Sequence, residues 1–171
     1  MGGTGRQAAG TCTAPKRETS AGAVIFREER GSRVYLLLNY PSGHWDFVKG
    51  RMEGGESPRQ TIVREAREET GIDDLEFVGG MERVIRYEFR LRGRPVQKKV
   101  IFHLARTRTS SVTISHEHRG YTWLGYGESM RKVTYENARI VLGAAERRLA
   151  RRSAGRSPAR GPREAGRAAA H

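Results

Sequence analysis

Residues 57–71 constrain this chain more than any other stretch, because they read as one short helix with both ends written into the sequence. Ser57 is an N-cap residue, Pro58 sits at the first helical position, where its missing N–H is harmless, and Gln60 completes a capping box. Gly71 supplies the left-handed residue that stops a helix. With Glu65 taken as zero and about 100° per residue, Glu68 falls at about −60° and Glu69 at about +40°. Ile62, Val63, Ala66 and Thr70 fan over about +60° to +160°, so an apolar stripe lies beside the acids. Like charges three and four residues apart cost a helix a few tenths of a kcal/mol per pair, roughly, and call for compensation by arginines or a bound cation. Arg64 pairs with Glu68 at i,i+4, and Arg67 lies beside the cluster. Clustered hard oxygens suit Mg²⁺ or Mn²⁺, which also bind phosphate oxygens. A solvated charged face satisfies the same spacing, and the helix alone does not decide between the two.

The rest of the chain predicts the frame around this helix. Ala21–Arg27 and Arg33–Tyr40 read as strands around a Glu28–Ser32 turn containing Gly31; Leu75–Leu91 and Lys98–Arg106 read as a long hairpin around Arg92-Gly93-Arg94-Pro95. Gly120–Leu124 is a further short strand, and Asn137–Leu149 carries apolar residues at helical intervals. Strands, one helix, more strands and a final helix predict an α/β (α+β) fold, a mixed sheet between helices. At 171 residues and 36% hydrophobic content there is room for one such domain, expected over residues 20–152. Residues 1–19 and 153–171 hold almost no large apolar side chains and are expected to be disordered arms. Of the net charge of +13, residues 145–171 carry +6 and residues 1–19 carry +2, leaving a modestly basic core of +5 that suits a polyanionic ligand. The single cysteine, Cys12, excludes an internal disulfide and fits a reducing, cytoplasmic setting. No apolar run approaches the roughly 18 residues of a membrane span.

The residues flanking the acids settle what the spacing leaves open. Gly50, Glu56, Arg64, Glu65, Ala66, Glu68, Glu69, Gly71 and Ile72 fit the pattern G-x5-E-x7-R-E-U-x-E-E-x-G-U without a gap, where U is a bulky aliphatic and only the small Ala66 is a soft match. By this box the chain resembles the Nudix hydrolases, and the resemblance implies the Nudix fold. It also implies attack of water on a nucleoside diphosphate linked to a further group, with Mg²⁺ (or Mn²⁺) as cofactor. The metal ligands it implies are Glu65, Glu68, Glu69 and the main-chain carbonyl of Lys49. Glu56 is implied to order the site and Arg64 to hold a glutamate, with Gly50 and Gly71 as structural box positions.

Outside the box, Ser42–Gly50 (SGHWDFVKG) and Ser115–Gly125 (SHEHRGYTWLG) resemble the asymmetric diadenosine tetraphosphate hydrolases, a likeness that extends over roughly residues 20–150. It implies that diadenosine tetraphosphate is split to ATP and AMP. Glu117 is implied as a fourth acid for metal binding or water activation, acting with Glu68 and Glu69. Tyr87 and Tyr121 are implied as an aromatic sandwich for adenine, and His44, Lys49 and Lys98 or Lys99 as phosphate contacts. His116 and His118 could contact phosphate, orient Glu117 or lie exposed; Trp45 and Trp123 are expected to pack. Phe47-Val48 stands where related enzymes commonly carry a proline before the Lys-Gly step. The alternatives are another Nudix substrate (an RNA 5′ end, a (d)NTP or an inositol polyphosphate) or a non-catalytic nucleotide- or RNA-binding protein. A monomer is expected, with weak nucleic-acid contact through the basic tail and none with a membrane.

Overall fold

Two hairpins with the same turn build most of the sheet. Strand β1 (Lys16–Glu29) returns as β2 (Ser32–Asn39) through Arg30-Gly31, at φ 49° and 80°. The longer pair, β5 (Glu76–Leu91) and β6 (Arg94–Arg106), turns through Arg92-Gly93 at φ 49° and 78°. Two consecutive left-handed residues match the right-handed twist of the flanking strands, and a glycine in second place makes that geometry cheap. The structure, a computed structural model, describes residues 14–154. The outer residues of both arms, Cys12 among them, lie outside the described residues.

β1 runs parallel to β6 from Lys16 opposite Val96 to Phe26 opposite Arg106. Its other edge is shared. The first half pairs with β4 (Val48–Arg51), and the second half, from Phe26, pairs with β2. The sheet therefore forks beside β1, with the start of the box on one limb. β3 (Trp45–Asp46) and β7 (Gly120–Gly125) both pair with β2.

Alternation along the strands sorts the core into two layers. Ala21, Ala23 and Ile25 pack with Leu36, Leu38, Val48 and the inner face of α1 (Pro58–Thr70), through Ile62 and Ala66. Val24, Phe26, Tyr35, Leu37 and Phe102 face the opposite way, onto α3 (Glu136–Ala154) through Val141, Leu142 and Ala145, with α2 (Tyr126–Lys132) at its side. The mixed sheet between helices is thus present as the element order implied.

Three elements escaped sequence reading. β3 has two residues, β4 (VKGR) shows no alternation of apolar side chains, and α2 (YGESMRK) is short and polar. β1 also begins at Lys16, inside the stretch read as an arm, because the polar Lys16–Thr19 finds a backbone partner in Val96–Lys99. Among the described residues no helix is long and apolar enough to cross a membrane.

α1 has the ends its sequence announces. Gln60 N–H donates to the Ser57 hydroxyl (3.4 Å), Ser57 N–H donates to Gln60 Oε1 (2.9 Å), and Gly71, at φ 72°, donates to the Arg67 carbonyl (2.9 Å). Ser57→Ala should remove about 1 kcal/mol and lower the melting temperature by about 3 °C. A thermal melt followed by circular dichroism checks this; no change would mean that tertiary contacts alone set the helix start.

Candidate active site

One arginine organises the acids of α1. Arg64 donates from Nε to Glu56 (2.8 Å), from Nη2 to Glu56 (3.0 Å) and the Arg51 carbonyl (2.9 Å), and from Nη1 to Glu65 (2.8 Å) and Glu68 (3.2 Å). A planar guanidinium with five N–H donors is the one side chain suited to so many acceptors at once. The Arg64 hydrogen bond, aided by the Glu53 N–H and the Thr61 hydroxyl, holds the Glu56 carboxyl down to about 2. Burial pushes Glu65 the other way, above its usual range, even with Arg64 beside it.

Glu69 is only 5% exposed and is gripped from two sides. Its Oε2 accepts the Lys49 N–H at 3.3 Å, and its Oε1 lies 3.1 Å from His118 Nε2. The segment carrying His118 is stapled to the end of α1: Thr113 N–H donates to the Thr70 carbonyl (3.0 Å) and Ser115 N–H to the Glu69 carbonyl (3.1 Å). Glu117 stands on the exposed turn above, its N–H toward Ser115 Oγ at 3.4 Å and its carboxylate without a partner among the described residues. His116 is exposed, whereas His118 is buried.

Gly50 lets the strand touch the helix acids. A β-carbon there would sit 1.8 Å from the Glu65 carboxyl group, so any side chain would collide with it. The Lys49-Gly50 backbone thus lies against Glu65 and Glu69 together. Carboxylates and a peptide carbonyl are the donors a hard dication takes, and Glu68, 60% exposed along its side chain, is free to swing inward. Among the described residues no three acid, histidine or cysteine side chains already converge on one point. Arg64 draws Glu65 and Glu68 to itself, and His118 faces Glu69. The donor set fits a divalent cation that displaces some of these contacts.

Lys49 turns its side chain the other way, into a cluster around Tyr40. The Tyr40 ring stacks on His44 (4.6 Å, 10°), lies under the Lys49 ammonium (3.8 Å) and meets the edge of His118 (4.6 Å, 89°), while its hydroxyl donates to the Phe47 carbonyl (2.8 Å). Burial, followed by the charges of Glu69, Asp46 and Glu65, lifts the Tyr40 pKa far above its ordinary value. Lys49 Nζ is 3.1 Å from Asp46 but off the axis of a hydrogen bond, so this buried ammonium has no hydrogen-bond partner among the described residues. Lys98 is half-buried nearby; desolvation and then the Lys49 charge depress its pKa.

Two exposed rings flank these cations. Tyr87 pairs across the hairpin with Lys98 and is 38% exposed. Tyr135, 52% exposed, is 5.3 Å from the His44 ring, while burial and then the Asp46 charge raise the Tyr87 pKa. The place of Tyr135 is set by the preceding residue: Trp45 N–H donates to Thr134 Oγ1 (2.9 Å) and Thr134 N–H to the Trp45 carbonyl (3.1 Å).

Two expected contacts are corrected by strand alternation. Tyr121 pairs with Leu38, whose side chain belongs to the α1 layer, while Tyr87 follows Ile85 on the α3 side. Tyr87 and Tyr121 thus face opposite layers of the structure, and Tyr135 is the exposed ring beside His44. Lys99 pairs with Arg86 and points away from Lys98, so only Lys98 joins Lys49. Sequence reasoning also passed over Tyr40 and left the role of His118 open. Neither has a periodic signal, since one follows a strand and the other follows a turn.

The NUDIX domain family matches residues 16–142. The mouse bis(5′-nucleosyl)-tetraphosphatase (asymmetrical) is 33% identical over 135 residues, covering 72% of this chain and 89% of that protein. An RNA pyrophosphohydrolase of Pseudoalteromonas translucida is 29% identical over 129 residues, covering 67% and 74%. Among solved structures, a C. elegans Ap4A hydrolase in a binary complex superposes with a TM-score of 0.67 at 29% identity, covering 81% of this chain and 98% of that one.

Glu56 gives the site a pH signature. Its folded-state pKa, about 2, lies below the ordinary 4.5, so its contribution to stability is complete above about pH 4.5 and is lost as pH falls toward 2. Glu56→Gln should be less stable than the parent at pH 7, and the gap should close on acidification. Urea melts from pH 7 to 3 measure it; a gap independent of pH would contradict the assignment.

Proposed function

The chain belongs to the Nudix hydrolase family, and from that premise we propose that it uses Mg²⁺, or Mn²⁺, to split diadenosine tetraphosphate into ATP and AMP. The observation that carries this reading is the meeting of three groups at Lys49-Gly50. Glu65 lies against Gly50 and Glu69 accepts the Lys49 N–H, the Lys49 ammonium lies over Tyr40, and Tyr87, paired with Lys98, and Tyr135, beside His44, supply exposed rings. Acids for a metal, cations for several phosphates and rings for a base, in that order, match a base joined to a long phosphate chain.

Each residue has a part in this mechanism. Glu65, Glu68, Glu69 and the Lys49 carbonyl would hold the divalent cation, which when bound would supply positive charge to the attacked phosphate and lower the pKa of a water molecule. Arg64 gathers and aligns the acids. Lys49, Lys98 and His44 hold the phosphates, and the Lys49 ammonium, which makes no hydrogen bond among the described residues, is ready to donate to a phosphate oxygen. Tyr87 and Tyr135 stack on adenine. Water attacks phosphorus, its proton passes to Glu117 or Glu69, and the bridging oxygen leaves with the departing nucleotide. Glu117 suits the proton transfer because its carboxylate is exposed and uncommitted, whereas Glu69 is engaged on both sides. The reading places the enzyme in the cytoplasm as a monomer.

The test is to incubate the protein with diadenosine tetraphosphate and Mg²⁺ and to resolve the products by ion exchange. Equal ATP and AMP are expected, falling at least about a hundredfold in Glu68→Gln. Two ADP would overturn the cleavage position, and pyrophosphate released from 5′-triphosphate RNA with no reaction on the dinucleotide would move the chain to RNA ends. Tyr135→Ala should raise KM about tenfold with kcat within threefold, as loss of one base stack implies, while Tyr121→Ala leaves KM unchanged. The reverse pattern would restore Tyr121 as the second ring.

A further inference from the structure

We propose that His118 is a positioning residue, fixing the Glu69 carboxylate against the Lys49 backbone in the orientation a divalent cation requires. The idea rests on the metal role proposed above for Glu69. It does not depend on which nucleotide is cleaved.

Glu69 is a buried carboxylate next to two others, Glu65 and Glu68, and Arg64 donates to both of those but not to it. Repulsion alone would turn Glu69 away from its neighbours. Two contacts oppose this: the Lys49 N–H on Oε2 at 3.3 Å and His118 Nε2 beside Oε1 at 3.1 Å. The ring nitrogen facing a carboxylate oxygen must be the one that carries hydrogen, since a bare nitrogen would place two lone pairs in contact.

The His118 ring has little freedom to do anything else. It meets the Tyr40 ring edge-on, and the residue's backbone N–H donates to the Ser115 carbonyl (3.1 Å), while Ser115 N–H donates to the Glu69 carbonyl (3.1 Å). The turn therefore grips Glu69 through both main chain and side chain. Neither ring nitrogen makes a well-aligned hydrogen bond among the described residues. Burying such a ring unsatisfied is unfavourable, and a packing role would be served better by phenylalanine. Contacts of this kind often tighten only when the site is filled.

The test compares His118→Phe, which keeps the ring and loses the donor, with His118→Gln, which keeps an N–H donor. Manganese affinity is read by electron paramagnetic resonance without substrate, beside melting temperature, kcat and KM. A positioning role predicts that His118→Phe folds, binds Mn²⁺ at least about tenfold more weakly and loses kcat by a similar factor with little change in KM. His118→Gln should recover part of both. Unchanged Mn²⁺ affinity in a folded His118→Phe would overturn the proposal, whatever the wild-type protein does to dinucleotides. Should His118→Phe fail to fold, nitrogen-15 spectra of the wild-type histidines decide: a proton on Nε2 that shifts with Mg²⁺ supports the role, and a bare Nε2 ends it.

Discussion

The site depends on a single guanidinium. Three glutamates on one helical face, with a fourth in the loop before it, repel one another, and Arg64 alone among the described residues reaches Glu56, Glu65 and Glu68 together. It also holds the Arg51 carbonyl, so the charge that gathers the helix acids also fastens the end of β4 to the helix. A lysine, with one compact ammonium, has neither the planar fork nor the donors for this task. The compensation is incomplete by design of the charges: one cation serves at least three anions, and the remainder is what a dication would neutralise.

The second constraint is the two-residue period of a strand. At Lys49-Gly50 it sends one side chain toward the cations and rings and leaves the next position bare against Glu65. Because β4 lies on one limb of the forked sheet, the dipeptide is flanked on both faces, and the acidic and basic halves of the site meet across one backbone. Tyr40, just after β2, closes the space between them by contacting His44, Lys49 and His118 at once.

Local signals made much of this legible in the sequence. The caps of α1, the two left-handed turns and the alternating strands are encoded by a few residues each, and the box fixed which acids share a face. What escaped notice depends on pairing between distant segments. Tyr135 stands beside His44 because Thr134 is hydrogen-bonded to Trp45, and Tyr121 faces the α1 layer because of its register with Leu38; neither fact is written near the residue concerned. Lys98 and Lys99 are adjacent and chemically alike, and only the strand face separates them. His118, read as one of two ambiguous histidines, acquires a role only when its turn is folded onto the end of α1.

The central claim is that the acids around Arg64 form an unfinished cation site. Its most direct test is the melting temperature of the protein across a series of Mg²⁺ concentrations at constant ionic strength. A cation bound only by the folded chain stabilises it in proportion to RT ln(1 + [L]/Kd), so the account predicts a rise that sets in near the dissociation constant. A melting temperature that does not respond to Mg²⁺ or Mn²⁺ would contradict it, leaving Arg64 as the sole and sufficient partner of these carboxylates.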